Sequence, residues 1–97
     1  MLLLWDDQNV IHIGRHGITR AEVEEVVAGE QTIFFEEDSH RPGRLIAFGQ
    51  TSAQRPIFVA LDVASSRDER YVVTARPMTA KERAQYELAN RDETEDE

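Results

Sequence analysis

The chain has no cysteine, so no disulfide can tie it, no thiolate can hold a metal and no cysteine can act as a nucleophile. That composition fits a reducing compartment, and the cytoplasm is the expected location. Long apolar runs are missing too. The opening Met1-Leu2-Leu3-Leu4-Trp5 meets Asp6 and Asp7 at once and carries no basic leader, so neither export nor a membrane span is expected. It reads as a short strand or as a plug on the core. There is no glycine-rich phosphate loop, no Ser-His-Asp constellation and no aromatic RNA-binding strand. Positive charge is scarce. Nineteen acids against 11 bases give −8, the wrong sign for a protein whose bulk charge gathers nucleic acid.

What is present suffices for one core. A chain of 97 residues, 40% hydrophobic and 31% charged, is long enough for a single globular domain and too short for two. The charge is uneven: Glu87 to Glu97 holds six acids and one base, Arg91, and the rest balances to −3. Residues 1–90 are therefore expected to fold as one domain, with 91–97 as a frayed acidic tail.

Local signals order the elements. Asp6 or Asp7 can cap a helix over about Asp7 to His16, stopped by Gly17. Thr19 and Glu22 have the spacing of a capping box, with Val23, Val26 and Val27 facing inward and Gly29 closing the helix. Thr32 to Phe35 is strand-like, and Glu36 to Gly43 is a charged, proline-containing turn. Arg44 to Gln50 alternates Arg44, Ile46 and Phe48 against Leu45 and Ala47. Thr51 to Arg55 forms a hairpin loop into Ile57 to Val63. After a polar turn, Arg70 to Ala75 makes another strand, bounded by Arg76 and Pro77. Thr79 and Glu82 repeat the capping-box spacing and open a last helix to about Asn90. The fold class is α+β: two N-terminal helices, a four-stranded antiparallel sheet and a C-terminal helix, with the helices on one face and the other partly open.

Few residues carry chemistry. His12 and His16 are four apart, one helical face at metal-ligand spacing, but two ligands make no site. His16 has a plain reading as a helix C-terminal residue favoured by the dipole, and a sharper one as a general acid or base. Arg44 and Arg76 suit a phosphate through paired charge-assisted bonds, and both project toward one end of the sheet if the hairpins pair in simple register. The plain alternative is that they neutralise the acidic turn of Glu36, Glu37 and Asp38. Glu82 is claimed by its capping box, and Tyr86, four residues on, is more simply a ring packed on the sheet.

Two segments look familiar: Trp5-Asp6 followed by Arg15-His16-Gly17-Ile18, and Ala75-Arg76-Pro77-Met78-Thr79 with Glu82, Arg83 and Tyr86. With Arg44 and Gly49 between them, they resemble the BrnT family of ribonuclease toxins from type II toxin–antitoxin pairs. The resemblance runs from Trp5 to Tyr86 in unbroken order. It implies a RelE-like fold and metal-independent RNA cleavage, with no cofactor. It also implies a cognate DNA-binding antitoxin of the ribbon-helix-helix type, so that DNA is reached only through that partner, and no membrane partner. On this resemblance His16 is the acid or base, Arg44 and Arg76 hold the scissile phosphate, and Glu82 and Tyr86 are secondary catalytic candidates. The chain departs from the pattern in lacking a first-helix lysine, with Gln8, Asn9 and His12 in that region. A second expectation, from a different class, is a catalytically inactive BrnT-like scaffold acting as a protein-binding module.

Overall fold

The helices begin where side chains satisfy the first free amides. A computed structural model describes residues 1–37, 43–64, 66 and 68–95, with the backbone alone over 92–95. Helix α1 (Asp7–Gly14) opens at Asp6, whose carboxylate accepts from Asn9 N at 2.9 Å while Asn9 Oδ1 accepts from Asp6 N at 2.9 Å. This reciprocal pair satisfies two amides that otherwise lack a partner. The helix ends two residues before the expected His16, and Gly17 turns the chain at φ +76°, which glycine adopts without a Cβ clash. Helix α2 (Arg20–Ala28) opens on the Thr19 and Glu22 box and closes at Gly29, as the spacing predicts. Helix α3 (Ala80–Glu95) opens on the Thr79 and Glu82 box and continues to Glu95, past the expected end at Asn90.

The strands are β1 (Leu2–Leu4), β2 (Ile33–Glu36), β3 (Leu45–Gln50), β4 (Pro56–Val63) and β5 (Glu69–Pro77). The four expected strands pair antiparallel, but the apolar N-terminus adds β1 parallel to β5, so the sheet is five-stranded and mixed, in the order β1-β5-β4-β3-β2. Part of the expected turn between β2 and β3, including Asp38 and Pro42, lies outside the described residues, as do Asp96 and Glu97.

The sheet separates two apolar clusters. On one face Ile13, Ile18, Val23 and Val26 of the first helical pair pack on Ala47, Ile57, Val59, Leu61, Val72 and Ala75. Each fully buried Ile, Leu or Val there contributes about 1.5–3 kcal/mol. On the other face Met78 and Tyr86 pack on Ile46, Phe48 and Ala60. Helix α3 therefore lies opposite α1 and α2, which corrects the expectation that all helices share a face. The cause is strand parity: Ile46, Phe48 and Ala60 point away from the first core and need cover, which Met78 and Tyr86 supply.

Close approach and hydrogen bonding seat the first two helices on the sheet. Gly49 lets the end of α2 approach β3, because a Cβ there would collide with Thr32 Oγ1 and stand 3.0 Å from Val26 Cγ1. Helix α1 runs alongside β5 in the same direction. The Tyr71 hydroxyl donates to the Asp6 carboxylate at 3.1 Å, Asn9 Nδ2 donates to the Val72 carbonyl at 3.2 Å, and His12 Nε2 lies 3.1 Å from Thr74 Oγ1.

Candidate functional site

These three contacts climb β5 as they climb α1, so His16, one turn beyond His12, arrives at the end of the sheet where β5 reaches Arg76 and Pro77. A second contact fixes the same placement. Arg55, just before β4, donates from Nη1 to the Gly17 carbonyl at 2.9 Å, and Ile57 of β4 pairs with Pro77. Arg55 Nη1 also donates to the Glu22 carboxylate at 3.0 Å. Burial raises the Glu22 pKa, but the hydrogen bonds from the Thr19 backbone and Arg55 outweigh it and hold the carboxyl below its ordinary range. His16 itself is exposed and makes no side-chain hydrogen bond among the described residues; its ring packs on that of His12, centres 5.4 Å apart.

Arg76 is held on the α3 side. Its Nη1 and Nη2 donate to the two Glu82 carboxylate oxygens at 2.7 and 2.9 Å, and its guanidinium lies 4.0 Å from the centre of the Phe58 ring. The paired bonds from Arg76 depress the Glu82 carboxyl, and the Thr79 amide adds to the effect. In return the bonds to Glu82 raise Arg76 further above its ordinary value. Tyr86, one turn along α3 from Glu82, is 5% exposed, and burial pushes its phenol up. It lines a recess with Gln31, Gln50 and Thr51.

Arg44 is elsewhere. Its Nε donates to Asp62 Oδ1 at 2.6 Å and its Nη1 lies 3.7 Å from Glu37, and the bond to Asp62 raises it above the ordinary arginine value. Asp62 and the Phe58 under Arg76 are four positions apart on β4, about 13 Å along a strand. Arg44 and Arg76 therefore do not project toward one end of the sheet, which corrects that expectation. In an up-down-up run, β3 and β5 point the same way, so the start of one and the end of the other lie at opposite ends. The plain reading of Arg44 is partly met, since Glu37 of the acidic turn is one of its partners.

His16, Arg76, Glu82 and Tyr86 thus share the hairpin end of the sheet, with His16 on the α1 side of β5 and the other three on the α3 side. Between them runs β5, which β1 pairs only over Glu69 to Tyr71; beyond that α1 flanks it, with Asn9 donating to the Val72 carbonyl and His12 meeting Thr74. Among the described residues no three histidine, aspartate or glutamate side chains gather at metal-holding distance. Sequence reasoning missed Arg55, which ties the hairpin loop to both ends of the Gly17 to Glu22 segment. Nothing in its local pattern signals a partner 33 residues away.

Among protein families, the model described as ribonuclease toxin, BrnT, of type II toxin–antitoxin system matches residues 5–82. The chain belongs to the BrnT family. The match begins at Trp5, beside the Asp6 cap, and ends at Glu82, the residue that clamps Arg76. This BrnT member thus comes with the family's description, a ribonuclease toxin with an antitoxin as partner. No curated protein matches it. Several residues of the BrnT-like pattern have structural reasons here: Asp6 caps, Gly17 turns, Gly49 makes room, and Thr79 with Glu82 starts α3. Among the described residues the His16 side chain makes no hydrogen bond, and its ring meets that of His12.

Proposed function

We propose that the chain is a metal-independent RNA endonuclease toxin on a RelE-like scaffold, working in the cytoplasm and neutralised by a ribbon-helix-helix antitoxin through which the pair reaches DNA. The observation that carries this is His16, an exposed imidazole whose side chain makes no hydrogen bond among the described residues, held just past α1 toward the end of β5 that also bears Arg76. Histidine can take and return a proton, and guanidinium groups can bear the charge that develops on phosphorus oxygens, so the chemistry is complete without a metal. RNA lies across the hairpin end of β5, with His16 acting on the ribose 2′-hydroxyl or the leaving oxygen and Arg76 contacting phosphate. Glu82 and Tyr86 hold Arg76 and its surroundings in place. Arg44, about 13 Å away along the sheet, contacts a phosphate further along the strand rather than the scissile one. Expression of the intact chain arrests growth and degrades RNA; the H16A and R76A variants do neither. Unaffected growth and intact RNA with the wild type would refute the reading.

A second reading is favoured by one specific observation. Ile33, Phe35 and Phe48 meet Leu88 and Ala89 of α3 in an apolar groove, with Phe35 41% and Leu88 56% exposed. Such a surface suits a protein partner. A catalytically inactive scaffold would keep this groove and bind the antitoxin while leaving RNA intact.

A further inference from the structure

The end of α1 and the turn after it present two imidazoles, not one. His12 lies in the last turn of α1 and His16 two residues past its end, their ring centres are 5.4 Å apart at an interplanar angle of 76°, and both are exposed. His12 is also oriented from outside its helix by the Thr74 hydroxyl, 3.1 Å from Nε2. That contact depends on a β-bulge. Ala60 pairs with Thr74 but Leu61 pairs with Val72, so Val73 is an extra residue. Val72 and Ala75 both enter the core under α1 and α2, whereas Val73 packs on the opposite face. Thr74 is where the alternation resets, and its hydroxyl turns to α1. Bulges of this kind re-aim side chains next to active sites. Beside His12, a recess is lined by Gln8, Ile11 and Arg15. Arg15 makes no ion pair among the described residues, whereas Arg44 and Arg76 are both held by carboxylates.

We propose that His12 and His16 form the acid–base pair of RNA cleavage, with Thr74 as the positioning residue for His12 and Arg15 as a second cation, beside Arg76, for the phosphate. The proposal rests on the reading of the chain as a ribonuclease. One imidazole, neutral, takes the proton from the 2′-hydroxyl, and the 2′-oxygen bonds to phosphorus. The bond from phosphorus to the 5′-oxygen breaks, and the other imidazole, protonated, delivers its proton to that oxygen. The products are a 2′,3′-cyclic phosphate and a 5′-hydroxyl, one proton taken and one given, with no further reactant. Each nitrogen must come within about 2.6–3.2 Å of its oxygen. Rings with centres 5.4 Å apart can serve the two ends of one phosphodiester.

The test uses the full chain and its H12A, H12Q, H16A and T74V variants. They are assayed on an RNA oligonucleotide and on the same oligonucleotide with sulfur replacing the bridging 5′-oxygen at the mapped cut, a leaving group that departs without a proton. On RNA, H12A, H12Q and H16A each lose about a hundredfold or more in kcat, and T74V loses less, with KM unchanged. On the sulfur substrate the variants of one histidine, the acid, regain most of the wild-type rate and those of the other do not. A structural role for either ring would not separate the substrates in this way. An H12A or H12Q variant as active as wild type on RNA, or rescue of both histidines or of neither, overturns the pair while leaving the ribonuclease reading intact. A wild-type chain that cleaves neither substrate overturns both.

Discussion

Glu82 does two things at once: its carboxylate accepts from the Thr79 amide at 2.9 Å, closing the start of α3, and clamps the Arg76 guanidinium at 2.7 and 2.9 Å. One side chain thus couples the beginning of the last helix to the end of β5. Replacing it by alanine opens the capping box and frees Arg76 together. A loss of about 1–2 kcal/mol is expected, the scale of a lost N-terminal cap, read as a lower urea midpoint with unchanged slope. Because the ion pair is partly exposed, the cap accounts for most of that loss.

The same contacts make stability depend on acid. The Glu82 carboxyl is depressed in the folded protein, chiefly by the bonds from Arg76. As pH falls below the ordinary glutamate value of about 4.3, the unfolded chain takes up a proton that the folded chain still refuses. Stability is therefore fully present above that value and is lost as pH falls through the folded one. Glu22, depressed in the folded state by Thr19 and Arg55, acts in the same direction. Urea melts across pH 3 to 6 are expected to show a declining midpoint in wild type and a shallower decline in E82Q. Parallel curves would contradict this.

Asn9 is 2% exposed and donates to the Leu4 and Val72 carbonyls at 2.9 and 3.2 Å, joining α1 to β1 and β5. Asn9→Ala removes both donors and half of the Asp6 box. Leaving buried carbonyls without partners costs about 1–3 kcal/mol. Thermal denaturation of N9A is expected to show a clearly lower midpoint, and because α1 is anchored through this residue, RNA cleavage should fall with it.

Gly49→Ala is expected to destabilise by about 1–3 kcal/mol, as overpacking of a filled core does. The added methyl meets Thr32 Oγ1 and Val26 where α2 crosses β3. The paired variant G49A/T32A removes the nearer obstacle and should recover part of the loss in the same urea titration.

Helix starts were legible because they are local: Asp6, Thr19 with Glu22, and Thr79 with Glu82 each close within one turn. The alternation in β3 was legible for the same reason, and Ile46 and Phe48 do face away from Ala47. What depended on distant partners was not. The parallel seat of β1, the cover of the second face by α3 and the bond from Arg44 to Asp62 leave no mark in any short window. Nor does the bulge at Val73, which needs the register of β4 to be seen. The placing of Arg44 and Arg76 at opposite ends was within reach, since strands that flank a common antiparallel neighbour run the same way. Of the candidate site, the residue types were readable and their division between the two sides of β5 was not.

The ribonuclease activity proposed for this chain requires the exposed imidazole of His16 to do chemistry on RNA. Purified wild-type chain and its H16A variant, matched in circular dichroism and melting midpoint, would be incubated with RNA in the presence of EDTA. Cleavage by wild type that is lowered about a hundredfold or more in H16A is the predicted result. Cleavage that persists undiminished in H16A, or that wild type loses when EDTA is added, would contradict it.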